Sequence, residues 1–143
     1  MASFVKYQCF VGDVFGKVHD LLGTAGVGAD TCKVLLSNTA PDVAANTVKA
    51  DAAEIGAGHG YTAGGASASN VGSASGGTFT LVGTDIVFTA AGGSIGPFRY
   101  FILYNATASG GPLIAYWDYG SSITSLDTQT VTVDFSVNLF TAV

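Results

Sequence analysis

The chain has 143 residues, of which 48% are hydrophobic and only 10% charged, with a net charge of −5. That length fits one domain over residues 1–143, and the apolar content is too high for a disordered chain. Four lysines and one arginine, Arg99, cannot provide the basic footprint that phosphate backbones or anionic membranes require, so neither nucleic acid nor membrane is an expected partner. Ordinary soluble domains carry about 25% charged residues. Much of this surface must therefore be Gly, Ala, Ser, Thr and backbone, which loses little on desolvation against a neighbour.

Taken in order, Ser3–Val14 reads as a strand, with Val5, Tyr7, Cys9 and Val11 in alternation. The start lacks a basic leader followed by an unbroken apolar run, so folding in the cytoplasm is expected. Lys17–Leu22, with His19, reads as one helical turn, and Gly23–Asp30 as a glycine-rich loop. Thr31–Ser37 is a second strand, followed by a turn over Asn38–Pro41 because the residue before proline avoids the helical region. Asp51-Ala-Ala-Glu54 has capping-box spacing and predicts the start of a short helix.

Gly56–Gly77 reads as a long loop holding one weak strand near Ser67–Ser73, and its backbone entropy points to ordering by a partner. Thr78–Val82 and Asp85–Ala90 flank Gly83-Thr84, the signature of a tight hairpin. Phe98–Asn105 is apolar on both faces, with Phe98, Tyr100 and Ile102 on one and Phe101 and Leu103 on the other. Leu113–Tyr119 pairs with it. Gln129–Ser136 alternates Val131, Val133 and Phe135 with polar residues, the pattern of a half-exposed strand. About eight short strands with minimal helix predict an all-β, antiparallel β-sandwich or jelly-roll-like fold.

Chemistry-bearing patterns are few. Gly92-Gly-Ser-Ile-Gly96 spells a nucleophile elbow, but a strand follows it instead of a helix, and both histidines, His19 and His59, lie upstream. Cys9, His19, Cys32 and His59 lack the paired spacing that preorganises a metal site. The two cysteines fall on predicted strands and are expected to be free thiols in a reducing compartment. The glycine-rich stretches lack the strand-loop-helix context of a phosphate cradle. No catalytic residue, cofactor or metal is expected, and the chain does not read as an enzyme.

Tyr116-Trp117-Asp118-Tyr119 is the one cluster suited to recognition, although alternation puts Tyr116 and Asp118 on one face and Trp117 and Tyr119 on the other. Packing in a core or interface is the better account of these aromatics. If Tyr104 pairs with Leu113, Arg99 falls opposite Asp118 and the charges meet. A one-residue slip would set Arg99 over Trp117 instead.

The phrases Leu36–Pro41 (LSNTAP), Gly60–Gly65 (GYTAGG), Phe98–Asn105 (FRYFILYN), Trp117–Ile123 (WDYGSSI) and Val131–Ser136 (VTVDFS) together resemble a small β-rich virion structural protein family of tailed bacteriophages. The resemblance implies a structural role in the particle, with head decoration (a cement protein) favoured. It implies the major capsid protein as partner, a small homo-oligomer with a trimer favoured, and location in the virion after assembly in the host cytoplasm. The candidate interface comprises Arg99, Tyr116, Trp117, Asp118, Tyr119, His59 and Tyr61. The alternative is a tail-tip or fibre module recognising host glycans, with the Tyr/Trp/Asp cluster and Gly56–Gly77 forming its site.

Overall fold

The computed structural model describes residues 4–23, 29–136 and 138–143. The fold is all-β. Its strands are β1 (Phe4–Lys6), β2 (Cys32–Ser37), β3 (Ala66–Ser67), β4 (Val71–Ser75), β5 (Thr78–Val82), β6 (Ile86–Thr89), β7 (Ile95–Asn105), β8 (Leu113–Ser125), β9 (Thr130–Val133) and β10 (Phe140–Ala142). One α-helix, α1 (Cys9–Phe15), and one 3₁₀ turn (Lys49–Ala52) complete the described elements. The strands form a five-stranded sheet in the order β1-β8-β7-β2-β3, a three-stranded sheet β10-β5-β4 and a pair β6-β9. All pairings are antiparallel.

The large sheet is buried on both faces. One face packs against the two smaller sheets through Val34, Leu36, Phe98, Phe101, Leu103 and Trp117, which meet Leu81, Ile86, Phe88 and Phe140. The other face carries Leu35, Tyr100, Ile102, Tyr104 and Leu113, and is covered by irregular chain with Val43 and Ala52 inward. That cover is tied down by its backbone. Leu113 N–H donates to the Thr47 carbonyl at 2.9 Å, Lys49 N–H to Gly111 at 2.8 Å, and Gln8 N–H to Val43 at 2.9 Å.

Several sequence expectations are corrected. The strand expected over Ser3–Val14 stops at Lys6, and Cys9 lies on a helix. Phe10, Val11, Val14 and Phe15 fit a helical period as well as the alternation fits a strand, and over so short a run packing decides. Tyr7 N–H is taken by the Ile114 carbonyl at 3.0 Å and the chain then leaves the sheet. No helical turn forms over Lys17–Leu22. The loop expected over Gly23–Asp30 lies largely outside the described residues. Asp51 is the third residue of its helical turn and not the start of one: its carboxylate accepts from the N–H groups of Thr47 and Val48, at 3.0 and 3.1 Å.

Gly83-Thr84 does not close a hairpin. β5 pairs with β4 and β10, and β6 pairs with β9. Thr84 N–H donates to the Ala68 carbonyl at 2.8 Å, so the chain crosses between sheets there. The tight hairpin is Gly76-Gly77, with φ of 57° and 80°, set between the paired Ser75 and Thr78. Two successive positive φ values define the primed turn that matches strand twist, and glycine adopts them without a Cβ penalty. β7 and β8, with 11 and 13 residues, are long, not short.

Candidate interaction surface

The Tyr-Trp-Asp-Tyr cluster sits in the middle of β8, and two irregularities decide where each side chain points. Tyr104 pairs with Leu113 as expected, but Leu103 pairs with Ala115, so Ile114 is an extra residue on β8. The bulge shifts everything beyond it by one. Phe101 then faces Trp117, and Tyr100 faces Asp118. A second irregularity follows, because Phe98 next pairs with Ile123. Tyr119–Ser122 therefore loop out, with Gly120 at φ 97°. The same irregularity puts Phe98 on the face of Phe101, not on that of Tyr100 as alternation predicts.

Arg99 and Asp118 meet nonetheless, diagonally. Arg99 Nε donates to Asp118 Oδ1 at 2.7 Å and Nη2 to Oδ2 at 2.9 Å, a bidentate pair. The hydrogen bonds from Arg99 hold the Asp118 carboxyl below its ordinary range, helped by Gly120 N–H. The guanidinium lies 5.3 Å from the Tyr100 ring centroid, so its cation–π partner is Tyr100 and not Trp117. Both charged side chains are about one-third exposed, and the pair is a surface feature.

The remaining candidates divide sharply by burial. Trp117 is in the sandwich core, edge-on to Phe4 and against Phe135 with ring centroids at 5.7 Å in each case. Tyr61 is 3% exposed and equally internal: its ring packs on Phe88, and its hydroxyl donates to Glu54 Oε1 at 2.7 Å while accepting from Leu36 N–H. Tyr61 offers no face to a partner, and Trp117 only the small part of its ring that stays exposed. Tyr116 is half-buried between Tyr7 and Tyr100, and burial raises its hydroxyl pKa. Tyr119 is 56% exposed. His59 is exposed, with Nδ1–H donating to the Gly92 carbonyl at 3.0 Å. Its ring lies so close to Gly93 that a Cβ there would meet Nδ1 at 2.3 Å.

A groove of about 220 Å³ runs beside Tyr119, bounded by Trp117, Val131, Val133, Asp134 and Asn138. β9 supplies one wall and β8 the other, a combination invisible in sequence because Gln129–Ser136 reads only as a half-exposed strand. The Gly56–Gly77 segment holds two strands, β3 and β4, instead of the one weak strand expected near Ser67–Ser73, and neither lines this groove. β3 stands at the far edge of the large sheet, with β7 and β2 between it and β8.

That segment is also held within the monomer, contrary to the expectation that a partner orders it. Tyr104 Oη donates to the Gly64 carbonyl at 2.8 Å. Glu54 accepts from Tyr61 and from Gly64 N–H, and pairs with Lys49 at 2.9 Å. Gly65 lies flat on β2, where a Cβ would fall 1.8 Å from the Val34 carbonyl oxygen.

The two cysteines are free and lie toward opposite faces of the large sheet, Cys9 beside the irregular cover and Cys32 in the sandwich. Burial pushes the Cys32 thiol up to about 12, which leaves it protonated and unreactive at neutral pH. Ser94 is followed directly by β7, so the strand-to-helix turn that would expose a nucleophile is not built. Among the described residues there is no cluster of three metal-ligating side chains and no helix long and apolar enough to cross a membrane. No family model, curated protein or solved structure matches the chain.

Proposed function

We propose that the chain is a structural component of a tailed-phage particle, a head decoration protein that binds the outer shell and stabilises it. One observation carries the reading: a folded domain with few charged residues that bears exposed apolar side chains. Only 15 of 143 residues are charged. Val71, Val87, Tyr119 and Leu126 are each more than half exposed. Such a surface packs against neighbours at low desolvation cost, and a rigid β-sandwich suits repeated attachment to a lattice. The phrase-level resemblance to small phage virion proteins supports the same reading. In this role Tyr119 and the Arg99–Asp118 pair form the candidate contact on the outward loop of β8, with the major capsid protein or a further copy as partner.

Quantitative mass spectrometry of purified particles tests the reading. A copy number comparable with that of the shell protein is expected, together with a lower shell melting temperature when the chain is omitted. A few copies per particle, or none, overturns decoration.

The groove beside Tyr119 supports a second reading, recognition of a glycan by a tail-tip or fibre module. An exposed tyrosine, a carboxylate and an amide along one cleft can stack on and hydrogen-bond a sugar ring. Glycan-array binding lost on Tyr119→Ala, with low copy number in particles, would select it.

A further inference from the structure

β9 pairs with β6 on one side and, among the described residues, with no strand on the other. The phase of that ladder is fixed at its two ends. Ala90 N–H donates to the Gln129 carbonyl at 2.9 Å, and Phe135 N–H to Asp85 Oδ1 at 2.9 Å. Opposed residues of an antiparallel pair alternate between exchanging both backbone bonds and exchanging none. Val131 therefore bonds Phe88 and Val133 bonds Ile86, while Thr130 and Thr132 turn their N–H and C=O groups away from β6. Among the described residues nothing bonds those groups.

The groove of about 220 Å³ lies along this open edge. Consecutive positions 131–135 line it. Consecutive lining is the mark of a strand met from its side, because one face alone would show every second residue. Phe101 and Trp117, whose rings turn toward the sandwich interior, line the groove as well. Edges that are kept from pairing carry lysine, proline or a bulge, or are covered by another segment. Thr130–Val133 has no lysine, proline or glycine, pairs with β6 without a register shift, and leaves Thr130 and Thr132 exposed.

We propose that the open edge of β9 binds an extended peptide segment of a partner protein, which adds to β6-β9 as a third strand. Unpaired N–H and C=O groups that repeat along a strand are matched in full only by another extended backbone. The phase also sets the chemistry of the segment. Its residues opposite Thr130 and Thr132 carry the interstrand hydrogen bonds and share their solvent-facing side. Those opposite Val131 and Val133 point inward, toward Phe101 and Trp117, and are apolar. Asp134 in the groove and the net charge of −5 favour a segment with basic rather than acidic ends. The site does not rest on the particle reading. A sugar in the same groove would be held by side chains, whereas a peptide is held by the β9 backbone.

The test uses the purified full-length chain and a capped peptide in which threonines alternate with valines between lysine ends. NMR titration is expected to give saturable shifts of the Thr130 and Thr132 amide signals. Hydrogen exchange should slow at those two positions and stay as it was at Val131 and Val133, whose amides already bond β6. N-methylation of the peptide's threonines removes the donors that face β9 and should weaken binding by about tenfold or more, whereas N-methylation of its valines should leave binding unchanged. Thr132→Pro removes one donor of the open edge without touching a β6 hydrogen bond, and should weaken binding roughly fivefold. No saturable binding, equal binding of the two methylated peptides, or protection of Thr132 by a second copy of the chain in the absence of peptide overturns the proposal.

Discussion

The two faces of the large sheet are equally buried but are covered by different means. Toward the smaller sheets the cover is made of strands, and the contact is Phe, Trp, Leu and Ile against their like. On the other face the cover is irregular chain around Val43–Ala52, rich in Ala and short of side chains that could fill space. Irregular backbone has unpaired N–H and C=O groups that cannot be buried alone. The sheet therefore presents tyrosines there. Tyr104 bonds Gly64, and Tyr61 crosses over to link Glu54 with β2. The lesson is that a strand layer is held by area, whereas an irregular layer needs area together with fixed polar pegs.

Four measurements test this contrast, beginning with the largest effect. Phe98→Ala removes a fully buried ring from the strand-covered face. A loss of about 3–5 kcal/mol is expected in denaturant unfolding. A loss under about 1 kcal/mol would mean that the sandwich face can collapse around the gap.

Gly65→Ala probes the irregular cover. At φ +70° with the Val34 carbonyl 1.8 Å from the new Cβ, the loop must lift from β2. The strain alone is about 1–3 kcal/mol, and faster hydrogen exchange over 56–66 should accompany it. Gly76→Ala, with φ +57° and open space around it, is the control and should cost about 1–2 kcal/mol without touching the cover.

The pegs themselves are compared by deleting hydroxyls. Tyr104→Phe leaves the Gly64 carbonyl unpaired and should cost about 0.5–1.5 kcal/mol. Tyr7→Phe removes a hydroxyl that is buried with no partner among the described residues, and should be neutral or stabilising. Equal losses for the two would show that the hydroxyls contribute by volume alone.

The smallest effect is a pH dependence from His19. Burial holds its folded pKa below the unfolded value, against the opposing pull of Asp13 and Asp30. The unfolded chain thus takes up the proton first as pH falls below about 6.5. Its contribution to stability is complete above that pH and is lost as pH falls toward the lower folded pKa. Unfolding midpoints should drop between about pH 7 and pH 5.5, and His19→Phe should flatten that drop. The carboxyls held low, Asp51 and Asp118, add their own losses only in more acidic solution.

Much of the fold was legible in the chain itself. β2, β5, β7 and β8 lie where strong β patterning put them, because long apolar runs bounded by turn residues leave few alternatives. Within Phe98–Asn105 the alternation also separates Phe101 and Leu103, on the strand-covered face, from Tyr100 and Ile102, under the irregular one. The pairing of Tyr104 with Leu113 follows from the hairpin between them, whereas Arg99 reaches Asp118 diagonally, from a register one residue away from the direct opposition expected.

What only the tertiary structure decided were choices between near-equal local options. Cys9–Phe15 satisfies a helix and a strand alike, and the departure of the chain after Tyr7 selects the helix. Gly83-Thr84 and Gly76-Gly77 are both turn signals, and the partners available to β5 and β6 decide which one closes a hairpin. The bulge at Ile114 and the loop at Tyr119–Ser122 reset alternation, sending Phe98 to the face of Phe101. The cavity beside His19 gathers residues from both ends of the chain, and the imidazole's tautomer is fixed by Asn105, 86 positions away. Periodicity is a local property, but an unpaired donor and the acceptor it lacks are defined by what folding brings together.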